Sequence, residues 1–275
     1  MKATPSHSPA ISHQIIYEQQ QLHHQYTIRL FRILILIFFL ILWQVCASTG
    51  IIDSFFFSSP WQVLTTFFHM VMDLTFFVHT GITLLETVVS FFLVLILGLF
   101  CATLLWYFEK LSEILEPWLV VLNSLPKSAL APLFIVWLGT GIHTIIIAGI
   151  SVAIFGSIIS LYTGFRQADP EKIRLIATLG GNKKDAFLLV VLPSSIPTIL
   201  SNMKVNIGLA LVGVIIGEFL AARRGLGYLI IYGSQVFQLH LVITSIVILC
   251  LIAMGLYALI QMLEKYYLKH FLSLK

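Results

Sequence analysis

"WLVVLNSLPKSALAPLFIVWLGTGIHTIIIAGISVAIFGSIISLYTGF", residues Trp118–Phe165, carries a single charge, Lys127. Crossing the hydrocarbon of a bilayer takes roughly 20 mostly apolar residues, so this stretch is long enough for two crossings and too long for one. Gly139-Thr140-Gly141 is the natural place to reverse, because glycine accepts the backbone angles of a tight turn. The reading gives two spans, 117–138 and 142–164, facing each other across that hairpin.

Outward from there the pattern repeats. Apolar runs over 33–50, 81–107, 198–221 and 241–263 each have the length of a span. The runs are continuous, whereas membrane barrel strands alternate apolar and polar residues. Inside lipid every backbone amide must pair within its own segment. With 59% hydrophobic and only 10% charged residues, the expected fold class is all-α: a polytopic membrane protein with about six transmembrane helices. It is bounded by a polar tail (1–28) and a basic tail (264–275), with the membrane domain over 29–263. Between the first two spans, Ser59 and Pro60 suit the cap and first turn of a short helix lying along the interface.

Charge sets the orientation. The N-terminal flank, the turn 109–116, the loop 166–184 and the C-terminal tail hold every Lys and Arg except Lys127, Lys204, Arg223 and Arg224. Basic residues mark the cytoplasmic side, so both termini and the loop are placed in the cytoplasm of a cell-membrane protein. The net charge of +4 is absorbed by that asymmetry and points to no nucleic acid. No metal ligand set at recognisable spacing occurs.

Seven charged residues sit together in "DPEKIRLIATLGGNKKDAFLLVVLP", Asp169–Pro193, within a cytoplasmic loop over 165–197. Asp169-Pro170-Glu171 is a helix start: a cap, a residue suited to the first turn, and a carboxylate for the positive dipole end. Ile173, Ile176, Ala177 and Gly180 share one face by three- and four-residue spacing. Gly180-Gly181 ends the helix and Asn182 caps a second one running through Leu192, before Pro193 turns the chain. The product is a helical hairpin with an apolar ridge and a basic rim, equally readable as a partner-binding device or as a solvated loop.

Four features stand out within the spans. Glu218 is a carboxylate near the outer end of the fifth span, where charge is costly and faces a bundle interior or a water-filled path. A gate or pathway role competes with pairing to Arg223 or Arg224. Lys127, between Pro126 and Pro132, reads as a snorkelling lysine or as a pathway cation. Gly213 and Gly217 form a small-residue face continued by Asn206 and Ala210, suited to close helix contact within the chain or across a two-fold axis. Glu86 is a second carboxylate, in the second span.

The loop resembles the signature loop of permease subunits of binding-protein-dependent ABC importers, whose pattern is Glu-Ala-Ala, three residues, Gly, nine residues, an aliphatic, one residue, then Leu-Pro. Gly180, Val190, Leu192 and Pro193 fit that spacing; Arg174, Leu175 and Ile176 stand where the triplet would. "LPKSALAPLFIVWLGTG" and "LALVGVIIGEFLAARRGLGYLI" are similar to stretches of the nitrate/sulfonate/taurine-type branch. The resemblance implies a type I importer permease, paired with a second permease chain, expected to be an identical copy. It also implies a cytoplasmic ATPase dimer docked on the 169–193 loop, with Ile173, Ile176, Ala177 and Gly181 among the docking positions, and an extracytoplasmic binding protein that delivers a small solute. ATP and Mg2+ would belong to the ATPase, since no GxxxxGK[ST] phosphate cradle occurs in this chain and no cofactor is expected on it. A stand-alone secondary transporter is the alternative, although no repeat between halves is evident. An intramembrane enzyme is a remote one, for want of a nucleophile–base pair.

Overall fold

The computed structural model describes residues 9–272. In chain order the helices are α1 (Pro9–Ser48), α2 (Ser54–Phe57), α3 (Pro60–Met72), α4 (Thr75–Tyr107), α5 (Glu109–Ser124), α6 (Lys127–Leu138), α7 (Ile142–Arg166), α8 (Pro170–Thr178), α9 (Lys183–Ala186), α10 (Leu192–Ser194), α11 (Ile196–Ala221), α12 (Leu226–Gln235) and α13 (Leu239–Leu272). A single π-helical turn, Phe187–Val191, joins α9 to α10. The chain divides into two compact units between Leu64 and Thr65.

In the first unit the apolar part of α1, Tyr26–Ser48, is long enough to cross a membrane. Its side chains, Ile35, Phe38 and Ile41 among them, are exposed on all sides, as suits a helix solvated by lipid. Ser59, before Pro60, accepts from the Gln62 amide and caps α3.

The second unit is built on three long helices, α4, α7 and α11, each long and apolar enough to span. Their mutual faces are rich in small and polar residues, and many large side chains point outward: Phe92, Ile96 and Phe100 of α4 are exposed, whereas Thr83, Thr87, Ser90 and Gly98 are buried. The inversion follows from the solvent. Lipid offers no hydrophobic reason to hide leucine, so helices associate through small residues that let backbones approach. A Cβ on Gly213 would lie 2.8 Å from the Ala148 carbonyl oxygen and the Gly149 Cα, and one on Gly217 2.9 Å from the Ile145 Cα. The small-residue face of α11 thus packs on α7 of the same chain.

Residues 117–138, expected as one span, fall on two helices: α5 and α6 meet at a bend of 94°. The cause is local. Pro126 has no amide to donate, and Leu125 before it is held extended at φ −63, ψ 140, the conformation that a following proline imposes. The reversal after α6 lies where the glycines put it, with Gly139 at φ 78 and Gly141 at φ 136. Helix α13 completes the unit, packing on α12 and α11 through Leu211, Leu226, Leu229, Ile248 and Leu249. Among the described residues there are five span-length helices, six if the bent pair counts as one.

Replacing Gly213 with Ala is expected to force α7 and α11 apart, at a cost of about 1–3 kcal/mol for overpacking. Gly81, where an added methyl group would meet no neighbour within 4 Å, should accept Ala without loss. Thermal unfolding of the two variants in detergent, side by side, checks this; equal melting temperatures would refute the close-contact account.

Candidate functional site

The loop 169–193 folds as a capped hairpin. Asp169 accepts from the Glu171 amide at 2.9 Å and pairs with Lys172 at 3.8 Å. The first helix stops as its residues dictate: Gly180 takes φ 85, and the Gly181 amide returns to the Ile176 carbonyl at 2.9 Å. Asn182 and Asp185 then form a reciprocal capping box, Asn182 Oδ1 accepting from the amides of Lys184 and Asp185 while Asp185 accepts from the Asn182 amide. Each of these caps satisfies amides that a helix start leaves free.

The hairpin has an inner and an outer side, and they divide the apolar residues differently from the sequence reading. Ile173, Phe187 and Val191 pack against Leu105, Leu161, Tyr162 and Phe165 at the ends of α4 and α7; Ile176 is half-buried, and Gly181 lies against it. Ala177 and Gly180 are exposed, Val190 and Leu192 half-buried, and Pro193 exposed. Of the large apolar side chains left in the open, Leu175, at 56%, and Leu179, at 75%, belong to α8 and the turn after it, and Leu188 and Leu189 to the π-helical turn. Spacing alone does not single out Leu175 and Leu179, because Ile173 and Ile176 define an equally good stripe and only tertiary packing decides which stripe is used.

Lys183 ties the hairpin to α5. It reaches Glu109 at 3.3 Å and lies 5.6 Å from the ring centres of both Trp106 and Tyr107. A cleft of about 690 Å³ remains between α5 and the hairpin, with Glu109, Glu113 and Glu116 on one wall and Ala177 and Lys183 on the other.

The second polar centre lies at the opposite end of α11, about 33 Å along its axis at 1.5 Å per residue. Glu218 is 1% exposed. Its Oε1 accepts from the Thr83 hydroxyl at 2.6 Å and its Oε2 from the Gly227 amide at 2.5 Å. Thr83 in turn accepts from the Leu226 amide at 2.9 Å. The Glu86 carboxyl, 2% exposed and one turn along α4 from Thr83, lies beside Glu218, and its Oε2 has no hydrogen-bond partner. His79 Nδ1 lies 3.0 Å from both the amide nitrogen and the carbonyl oxygen of Gly225. Neither Arg223 nor Arg224 reaches Glu218: the ion pairs among the described residues are Lys172–Asp169, Lys183–Glu109 and Lys204–Glu264. The carboxylate therefore sits on the first turn of α12, where free amides and the helix dipole favour an anion.

The "GLG" of residues 225–227 is what lets it come so close. A Cβ at Gly225 would collide with the Glu218 carboxylate, and one at Gly227 would lie 2.8 Å from its Oε2. This is the sequence signal that would have predicted the contact.

Midway along the bundle, Ser157 donates to Asn202 Oδ1 at 2.9 Å and accepts from Asn206 Nδ2 at 2.8 Å. All three are buried, so Asn206 belongs to a polar knot between α7 and α11. Lys127 is elsewhere: it opens α6 at the 94° bend and its ammonium donates to the Asn123 carbonyl. Among the described residues no three His, Cys, Asp or Glu side chains come close enough to hold a metal ion.

Comparison with known proteins decides the family. Residues 94–269 match the family described as "Binding-protein-dependent transport system inner membrane component". The chain belongs to this family. It is 30% identical to a probable ABC transporter permease of Haemophilus influenzae, over 79% of this chain and 88% of that one. It is 28% identical to the formylaminopyrimidine transport permease of Halalkalibacterium halodurans, over 69% and 75%, and 26% identical to a putative aliphatic sulfonates permease of Bacillus subtilis, over 83% of each. The fold is shared with the inward-facing MetNI methionine ABC transporter, at TM-score 0.57 and 20% identity over 69% of this chain and 93% of that one.

The permease is thus the membrane subunit of an ABC importer, of the branch that includes sulfonate and taurine permeases. It is a multi-pass membrane protein. It is not itself the enzyme: hydrolysis of ATP belongs to a separate subunit of such importers, and a binding protein is part of the system.

Asn206→Leu should cost about 1–3 kcal/mol, the penalty for stranding buried polar partners, because it strips the Ser157 hydroxyl of its donor. Ser157→Ala should cost less, since Asn206 Nδ2 also reaches Asn202 Oδ1 at 2.5 Å. Denaturation of both variants in the same detergent would expose an error if the order were reversed.

Proposed function

We propose that this permease acts as one half of a two-fold importer, paired with a second copy of itself, with its two termini and the hairpin on the cytoplasmic side and one subunit of an ATPase dimer seated on each hairpin. The observation that carries the reading is the outer face of α8. Leu175 and Leu179 lie one turn apart and open to solvent, flanked by the exposed cations Lys172 and Arg174. Two large aliphatic side chains in water, on a helix fixed by two caps, form a small rigid ridge suited to a groove on another protein. The residues of the hairpin then divide in role. Leu175 and Leu179 would contact the ATPase; Ile173 and Ile176 would hold α8 to the bundle; Gly180, Gly181 and Asn182 would fix the angle between the two short helices.

The solute would arrive from the binding protein at the end of the bundle remote from the hairpin. Relatives of the chain are named as permeases for formylaminopyrimidine, sulfonates, taurine and riboflavin, which supports a small polar organic solute or oxyanion. Glu218 and Glu86 border that end of the pathway. Lys127, at the bend between α5 and α6, would be an interfacial lysine.

The test is co-purification of the tagged permease from mild detergent. A stoichiometric ATPase is expected with the wild type. Leu179→Asp should reduce it at least tenfold, which is about 1.4 kcal/mol, with no change in melting temperature. Ile173→Ser should lower the melting temperature itself. Gly180→Val should weaken association as well, because a β-branched residue at φ 85 is strained by roughly 1–3 kcal/mol. An ATPase that stays bound to both Leu179→Asp and Gly180→Val would place the docking surface elsewhere.

A further inference from the structure

The carboxyl pair Glu86–Glu218 has a hydrogen count that the importer assignment does not use. Every protein donor around Glu218 points at it: the Thr83 hydroxyl at Oε1 and the Gly227 amide at Oε2. The Thr83 oxygen accepts from the Leu226 amide, and its single hydrogen is directed at Glu218 Oε1, 2.6 Å away. Both oxygens of Glu218 are therefore acceptors, as in a carboxylate. A hydrogen bond between two carboxyl groups needs a hydrogen from one of them. Both oxygens of Glu218 are already taken by protein donors while Glu86 keeps an oxygen without a partner, which favours Glu86 as the member that holds the hydrogen.

No Lys or Arg pairs with either carboxyl among the described residues. Of the elements packed on the pair, α4 brings His79, whose Nδ1 is engaged with Gly225; α12 brings Tyr228, stacked on His79. The loop before α12 brings Arg223 and Arg224, both exposed. At Gly217, next to Glu218, α7 presents Ile145. Two ionised carboxyls could not share so dry a site without a counter-charge, since desolvation and mutual repulsion act in the same direction.

We infer that Glu86 and Glu218 form a one-proton pair, in which Glu86 is the acid that donates and Glu218 is the carboxylate that clamps the first turn of α12 to α4 and α11. Both are positioning residues for transport: they make the outer ends of three helices a single body. The inference extends the importer reading, in which that body borders the solute pathway. The geometry predicts an asymmetry that a pair of equivalent acids would not show. Glutamine at position 86 still offers an N–H to the Glu218 carboxylate. Glutamine at position 218 turns one acceptor into a donor facing the Thr83 hydroxyl or the Gly227 amide, and it removes the anion from the helix start.

The test uses the full-length permease in lipid nanodiscs and two readouts. The first is the infrared difference spectrum of wild type minus Glu86→Gln, in which a protonated-carboxyl C=O band, shifted in deuterium oxide, is expected to be lost. Absence of that band from the difference overturns the inference. This readout does not depend on the Glu218 variant folding. The second is trypsin cleavage after Arg223 and Arg224, two exposed residues directly before Gly225. Wild type and Glu86→Gln should be cut at similar rates, while Glu86→Leu and Glu218→Gln should be cut at least tenfold faster. Equal rates in all four overturn the clamp. Loss of protection in Glu86→Gln, together with loss in the wild type on adding a chelator, would mean a bound metal cation in place of the proton and would also overturn it. Neither readout needs the ATPase or a solute, so the clamp can fail while the importer assignment stands, and the reverse.

Discussion

Everything in the larger unit depends on one constraint: inside hydrocarbon a polar group must find its partner within the chain. The permease answers it by burying its polar and small side chains between α4, α7 and α11 and turning many of its large apolar side chains outward. At Gly213 and Gly217 the backbones of α11 and α7 come within the reach of a single missing methyl group. That closeness is what lets Ser157, Asn202 and Asn206 saturate one another, and what encloses Glu218. Widening the contact would expose each polar group to lipid, so packing and polar satisfaction reinforce each other along the whole bundle.

The two polar centres are mechanically joined. The hairpin leads through the π-turn and α10 into α11 with only Ser195 between the last two, and Ser195 itself is buried, its hydroxyl donating to the Gly164 carbonyl at 3.3 Å. From α9 onward no glycine-rich or extended linker interrupts this path; between α8 and α9 lies only the capped turn of Gly180, Gly181 and Asn182. The inner face of the hairpin is fixed to α4 and α7 by Ile173, Phe187 and Val191, and Lys183 adds a tether to α5. A force on α8, as the proposed docking would apply, would be delivered to the start of α11, and the last turn of α11 carries the carboxylate that holds α12.

Much of this was legible in the sequence, because the signals were local. Asp169-Pro170-Glu171, Gly180-Gly181 and Asn182 specify caps and a stop that depend on a few neighbouring residues. The length of apolar runs specifies spans for an equally simple reason. What sequence could not settle was which of two competing stripes faces inward. Ile173/Ile176 and Leu175/Leu179 have similar spacing and similar hydrophobicity, and only the position of Leu161, Phe165 and Val191 chooses between them. The bend at Leu125–Pro126 was signalled by proline, but its size, 94°, is a property of packing. Glu218 was visible as an anomaly; its partners, Thr83 and Glu86, lie more than a hundred residues away along the chain, beyond any local pattern.

The same reasoning explains why a buried carboxylate is retained where a leucine would be cheaper. An apolar residue at position 218 would pack against Gly225 and Gly227 without preference for direction, and the first amides of α12 would be left unpaired in a dry site. A carboxylate accepts those amides along fixed lines and takes the Thr83 hydroxyl on its other oxygen, so α4, α11 and α12 are held at one mutual angle. Hydrophobic contact gives the three helices adhesion; the carboxylate gives them a fixed geometry. In a protein whose spans must shift against one another without coming apart, the helices that share such a polar lock are the ones that move together.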